Sequence, residues 1–509
     1  MGQTFVPGPV TSLAVAIPFG FLCAYLIVSL VTAFTNIHAH PLSGFPGPRM
    51  RAAFEFPNIW SNLKGFGNKD TKRLHDRYGH VVRIAPNTLS FNTARAWQDI
   101  YGLKKDRTEL AKDPNYYIKG PAVQIVNADQ KEHVRIRKLL APAFSDTALL
   151  EQEPLLNHYF NLLVQKLDEK IDGPANGRVD LMSQYNFLAF DIIGDLALGE
   201  PFGALENGEN HAWMRNFFEG IKFLGVIRFA MAYPVVGLFF QLLQRLKPSF
   251  AEKRIAHLAF TKKKVDERLD RITDRKDFLQ YILQGGKDRQ NSLSHLEILG
   301  NSRVLLTAGS ETTATQLCGA TWFLLNNLIT LQRAQSEVRK AFKNAEDITL
   351  RSVSAPGTLP FLNAVIEETL RCYPSIPSTL PRVTAAGGAI IDGHFVPENT
   401  SVGVHQWSAN RSSSNFGAAE SFIPERWLLE EAPSLCANDQ KDAMQPFSLG
   451  PRGCLGKSLA YFEIRSVLSR VLWHFDLELE DESRNWIDQK EFVFWDKPSL
   501  WVKLHRKVA

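Results

Sequence analysis

Phe447-Ser448-Leu449-Gly450-Pro451-Arg452-Gly453-Cys454-Leu455-Gly456 decides how the chain is read. Glycines and a proline crowd one cysteine into a turn, and glycine permits backbone angles that side chains forbid. Behind it Leu459, Ala460, Ile464, Val467, Leu468, Val471, Leu472 and Phe475 recur at helical spacing. Cys454 therefore stands just before a helix N-terminus, whose unpaired N–H groups and partial positive charge favour a thiolate. Gly453 and Gly456 leave room beside the sulfur for something flat and bulky, and Arg452 can reach an anionic group on it.

Four other stretches carry chemistry. Leu299 to Leu325 reads as one long helix containing Ala308-Gly309-Ser310-Glu311-Thr312-Thr313. A mid-helix glycine costs about 1 kcal/mol relative to alanine, and Thr312 can bond back to the Ala308 carbonyl. Leu359 to Cys372 is amphipathic, and its Glu368 and Arg371 are close enough to pair on one face. Pro424-Glu425-Arg426-Trp427 follows further on. His133 and Arg137 share a helix face, which on spacing alone is equally a solvated basic face.

The complete F-x-x-G-x-R-x-C-x-G stretch resembles the signature of the cytochrome P450 family, and the other stretches resemble that family's further motifs. The resemblance implies a mainly α fold with a small β region, holding haem b through Cys454 as axial thiolate ligand. Arg452, Phe447 and Gly456 belong to the same signature. Arg137, with His133 where the family usually has tryptophan, and Arg382 match positions that hold the haem propionates. Glu311 would help relay protons inward and Thr312 would hydrogen-bond dioxygen, since splitting O–O to give water needs two protons. Glu368, Arg371 and Arg426 would form a structural charge triad. The implied reaction is monooxygenation of an apolar small molecule, with electrons from NADPH delivered by a separate cytochrome P450 reductase. The chain has no G-x-G-x-x-G fingerprint of its own. The linker and A-G-S-E-T-T look most like filamentous-fungal members that tailor terpenoids, polyketides or alkaloids, such as trichothecene-pathway hydroxylases. Oxidative coupling, desaturation or isomerisation stay open as alternatives, and an inactive membrane-anchored binding protein is a remoter one.

Composition is that of a globular protein: 509 residues, 45% hydrophobic and 22% charged, with a formal charge of +5. So mild a basic excess argues for no nucleic-acid partner and suits an acidic partner or anionic lipid surface. Cys23, Cys318, Cys372, Cys436 and Cys454 have no C-x-x-C or zinc spacing, and no C-x-x-C-H for covalent haem. Thr11 to Phe34 lacks any charged side chain, and about 20 apolar residues suffice to cross a bilayer. Arg49, Arg51 and Lys64 follow it, so the positive-inside rule puts the bulk of the chain in the cytosol. The expected organisation is a lumenal 1–10, a transmembrane signal anchor over 11–34, a proline-rich hinge over 35–50 and a catalytic domain over 51–509. The resemblance makes the membrane that of the endoplasmic reticulum, spanned once. In that topology the sequons at Asn399 and Asn410 are inert.

Elsewhere, Val81 to Phe91 reads as two short paired strands and Ala94 to Tyr101 as a helix. Residues 106–130 carry few regular signals, and the resemblance makes them a loop over the substrate and 211–245 a helix pair that roofs the pocket. Lys253 to Lys276 has the charge pattern of a solvated helix. Tyr373 to Arg382 reads as a proline-broken strand. Phe492 to Leu504 alternates as a final hairpin would, with Phe494 and Trp495 facing substrate or packing.

Overall fold

The computed structural model describes residues 9–103, 108–209, 212–233, 235–238, 249–271, 273, 276–285 and 292–507. Residues 1–8, within the expected lumenal stretch, and 239–248, which take in the end of the expected roof, lie outside them. Helices dominate, and the expectation of a mainly α fold with a small β region holds. Its axis is the central helix His295–Leu325, whose start is fixed by a capping box between Ser294 and Glu297 rather than at Leu299. This helix packs most extensively on Leu181–Leu198, a helix buried over nearly its whole length. Gly309 makes the approach possible: a Cβ there would lie 2.6 Å from Ile193 Cδ1. Lys457–His474 and Pro360–Cys372 pack on the same central helix, so the cysteine and triad motifs converge on it.

The small β region lies to one side, with its own apolar cluster of Val81, Leu89, Phe91, Trp97, Val402 and Val404. Five strands run in the order Val81–Ala85, Thr88–Phe91, Ser401–Val404, Arg382–Val383 and Ala111–Lys112. The first pair is the expected hairpin, antiparallel with Val81 opposite Phe91. Arg382 opens a strand of two residues, so most of Tyr373 to Arg382 is irregular: its prolines supply no ladder N–H.

The final hairpin is not one element. Glu491–Phe492 pairs with Phe494–Trp495, whereas Trp501–Arg506 joins a separate sheet between Arg178–Asp180 and Phe475–Leu479. Asp496, Lys497 and Pro498 break the alternation between them. Trp495 packs: it stacks on Tyr373 at 4.9 Å and donates from Nε1 to the Pro374 carbonyl at 2.8 Å.

Pro9–His38 is a single helix that takes in the 11–34 stretch. No helix among the described residues is long and apolar enough to cross a membrane, and the side chains of 1–19, 21 and 22 lie outside those described. Asn410 is fully buried and donates to the Arg371 carbonyl at 3.0 Å, which closes that sequon to modification by burial alone.

Candidate active site

The cysteine loop is held by its own backbone. Cys454 N–H donates to the Phe447 carbonyl at 2.8 Å and Gly453 N–H to the Gly450 carbonyl at 3.0 Å, delivering Cys454 just ahead of the helix Lys457–His474. The steric demand for glycine falls on Gly450: it has φ +67°, and a Cβ would stand 2.1 Å from the Tyr101 carbonyl oxygen. At Gly456 a Cβ would meet Phe144 at an ordinary 3.6 Å, so the surrounding protein alone makes no such demand there. The Phe447 ring lies 5.1 Å from that of Tyr461. Cys454 has exposed surface, yet protein encloses it closely enough that burial pushes its thiol up. The Gly456 N–H, Arg137 and Lys457 pull it back only in part. Desolvation and these neighbouring groups thus act on the thiol in opposite directions.

Around this loop positive charge accumulates. Arg137 donates to the Gly453 carbonyl at 2.8 Å, fixing the loop to the helix Gln130–Leu140. Arg452 forks onto Glu109, with Nε 2.9 and 3.0 Å from its two oxygens, and donates from Nη1 to the Ala128 carbonyl at 2.8 Å. Arg382 Nη1 reaches the Leu110 carbonyl at 2.9 Å, while its buried Nε has no partner. His133 is buried and held down to about 4 by desolvation and by Arg452, so its ring is neutral. An uncharged ring N–H is also what tryptophan offers at that position.

Glu109 and Lys112 were invisible in the sequence, because neither stands at a fixed spacing from any motif. Burial, Arg382 and Arg452 drive the Lys112 ammonium down to about 6. Its Nζ lies 4.1 Å from the Tyr117 ring centre. Burial raises Glu109, but Arg452 more than reverses this and leaves it ionised. Arg137, Arg382, Arg452 and Lys112 against one carboxylate is a surplus of donors, and an orphaned guanidinium nitrogen aims to be used. A reachable thiol beside such a set fits haem, which brings a thiolate-binding iron and two carboxylates.

On the central helix, Thr312 Oγ1 donates to the Ala308 carbonyl at 2.6 Å and Ser310 Oγ to that of Leu306 at 2.7 Å. The Thr312 carbonyl accepts from Ser375 Oγ at 2.9 Å. Ala308 is exposed and Thr312 half-buried along one stripe of an otherwise packed helix. Glu311 turns elsewhere: it is 2% exposed, paired with Lys497 and accepting from Thr315 Oγ1 at 3.2 Å. The two neighbours in sequence thus face different surroundings.

Glu368, Arg371 and Arg426 come together with no side-chain exposure. Arg371 Nε and Nη2 donate to Glu368 at 2.9 and 2.7 Å, and Arg426 Nε at 3.0 Å. Trp427 Nε1 and the Ile423 N–H also donate to Glu368, at 2.9 and 2.8 Å. A fourth charged member, Asp439, takes Arg426 Nη1 at 2.5 Å. Arg371 spends its other hydrogens on the carbonyls of Asn410, Ala419 and Ser421.

A helical core crossed by one long helix, a cysteine loop against it and a cation-rich rim define a haem-thiolate protein. The chain belongs to the cytochrome P450 family, whose model matches residues 46–502. It is 42% identical to the cytochrome P450 monooxygenase astJ of Aspergillus oryzae, covering 92% of each chain. It is likewise 42% identical to a trichothecene C-15 hydroxylase of Fusarium sporotrichioides, over 94% of this chain and 96% of that one. An averantin hydroxylase of Dothistroma septosporum shares 39% identity over 94% and 90%. The protein is a cytochrome P450 monooxygenase of the type found in fungal secondary metabolism.

Proposed function

We propose that this protein hydroxylates or epoxidises an apolar terpenoid, polyketide or alkaloid in a biosynthetic tailoring step, fed with electrons by an NADPH-dependent cytochrome P450 reductase. The observation that carries this is the reachable Cys454 set among more cationic donors than the protein itself satisfies. Haem bound there supplies dioxygen activation, with the thiolate pushing electron density toward iron. Arg137, Arg382, Arg452 and Lys112, with neutral His133, hold its carboxylates, and the loop from Phe447 to Gly456 holds the sulfur. Thr312 presents its hydroxyl on the open stripe and Glu311 supplies protons from behind it. The buried triad keeps the surroundings of the cysteine loop in register.

In this reading 11–34 is a signal anchor, 35–50 a hinge and 51–509 the catalytic domain on the cytosolic face of the endoplasmic reticulum. Exposed apolar surface supports a membrane-facing side. Phe56 stacks on Trp60 at 5.7 Å and lies 6.0 Å from Phe229. Met231, Val235 and Leu238 are more than half exposed nearby in sequence, as are Ile27, Val28, Leu30 and Phe34 of the N-terminal helix. Turnover in membranes with a reductase, a metabolite extract and heavy dioxygen tests the whole reading. One heavy oxygen in one product supports it. Haem-dependent consumption of a metabolite without label points to coupling, desaturation or isomerisation instead.

A further inference from the structure

Beyond the cation-rich rim, a second set of buried donors has no acceptor. Tyr116 Oη, Tyr117 Oη and Arg228 Nε are each closed off from solvent without a hydrogen-bond partner. A turn fixes the two tyrosines: their backbone N–H groups both donate to the Asp113 carbonyl, at 3.1 and 2.9 Å. Asp113 is tied in turn to the small sheet, its carboxylate accepting from Ser401 Oγ at 2.5 Å. The two phenol rings stand 4.9 Å apart. Lys112 of the rim lies over the Tyr117 ring, and the Arg228 guanidinium lies 3.8 Å from the centre of the Tyr116 ring.

Arg228 comes from the helix Ala212–Ala232, and its one hydrogen bond among the described residues runs from Nη2 to the Tyr116 carbonyl at 3.3 Å. Among the described residues no carboxylate pairs with it. Its field reaches Glu491, beside Ser378, but that acid accepts from the Val493 N–H at 2.6 Å and is lifted to about 7 by burial. Burial, with Tyr116 and Tyr101, holds the Tyr117 phenol well above its ordinary range, so it keeps its proton as a donor. The haem carboxylates have Arg137, Arg382, Arg452 and Lys112, all on elements other than the helix that carries Arg228.

Buried donors left without acceptors are costly and rare in folded proteins, and a ligand that brings the acceptors removes the cost. Two hydroxyls and a guanidinium with aromatic walls suit a carboxylate, whose two oxygens match the guanidinium fork. We propose that Arg228, with the Tyr116 and Tyr117 hydroxyls, anchors a carboxylate borne by an otherwise apolar substrate, and so selects the acid over its neutral counterparts. With one end of the molecule fixed, the carbon attacked is set by its distance from Arg228.

This inference rests on reading the site as one that oxidises an apolar skeleton, and binding tests it separately from turnover. Haem-loaded full-length protein is titrated with dodecanoic acid and with dehydroabietic acid, each beside its methyl ester, and the shift of the haem absorption band gives Kd. The two skeletons distinguish a fatty chain from a terpenoid ring system as the carrier of the carboxylate. Hydrogen bonds to a charged group are lost in the ester, so at least one acid should bind roughly 10- to 100-fold more tightly than its ester. Arg228→Gln should erase that ratio and leave the ester's Kd and the rate of haem loss to an acceptor globin unchanged. Arg228→Lys should keep part of the ratio. Tyr116→Phe with Tyr117→Phe keeps both rings and the charge, and should lower the ratio by less. Acids that bind no better than their esters, whether both bind or neither does, overturn the proposal. So does a ratio that survives Arg228→Gln or stands undiminished in the double tyrosine variant, and so does faster haem loss in Arg228→Gln. An acid held through Arg228 that gains no heavy oxygen on turnover counts against the proposed oxidation and leaves the anchor standing.

Discussion

Two clusters of arginine lie close to the cysteine helix and are built on opposite terms. Around Glu368 the donors find partners within the protein: two guanidinium groups, an indole and a backbone N–H meet Glu368, Asp439 and four carbonyls. Around Arg452 and Arg382 there is one carboxylate, a lysine forced toward neutrality, a neutral histidine and a guanidinium nitrogen without a partner. The first is complete as folded. The second keeps an unmet donor, which suits the anionic guest proposed above, and that difference sets the two clusters apart better than burial does, since both are buried.

The largest expected effect lies between the two. Cys454→Ala should abolish the thiolate-type absorption of the reduced carbon monoxide complex and all turnover, while both arginine clusters stay folded by circular dichroism. Next, Glu368→Ala leaves two buried guanidinium groups uncompensated, and breaking a buried pair costs about 3–5 kcal/mol. Little folded protein should accumulate, with or without added haem, and chemical unfolding midpoints read this directly. Arg382→Ala should do the reverse: near-normal unfolding of the haem-free protein, but faster haem loss to an acceptor globin. Losing a hydrogen bond to a charged group costs about 1.5–3 kcal/mol, or roughly 10- to 100-fold in retention. Equal effects of the two substitutions on the haem-free protein would erase the distinction. Gly309→Ala pushes a methyl into Ile193 and should cost about 1–3 kcal/mol by overpacking, relieved in part by Ile193→Ala, which removes both Cγ1 and Cδ1.

The smallest effect concerns pH. Burial lifts the Glu463 carboxyl to about 8, the Thr313 hydroxyl opposing. Its folded pKa lies above the unfolded value, so the native state binds the extra proton between about 4.5 and 8. Its contribution is therefore full below that window and lost as pH rises through it. Glu463→Gln should flatten the fall in unfolding midpoint between pH 5 and 8 without touching Glu368.

What could be read in advance was local. The Cys454 turn, the helix behind it, the Glu311-Thr312 notch and the Glu368-Arg371 spacing are each written within a dozen residues, where periodicity and turn chemistry act. Glu109 and Lys497 were not, because Arg452 and Glu311 are distant in sequence and only the packed core brings them together, while Lys112 and Asp439 stand at no motif's spacing. The supposed single hairpin over 492–504 failed for a related reason. Alternation marks strands but not which sheet each strand joins, and Trp501–Arg506 finds its neighbours at 178–180 and 475–479.

Tyr101 has a consequence of its own. Its carbonyl abuts Gly450 of the cysteine loop, while its hydroxyl donates to the Leu380 carbonyl at 2.9 Å and accepts from the Val404 N–H at 3.3 Å. One residue therefore meets the cysteine loop through its backbone carbonyl and the segment that leads into Arg382 through its hydroxyl. Loops further out can vary in length and composition, and with them the molecule being oxidised, without altering the gap in which the cofactor is gripped. Diversification of substrate is thereby insulated from assembly of the catalyst, and a change at Tyr101 would couple the two again.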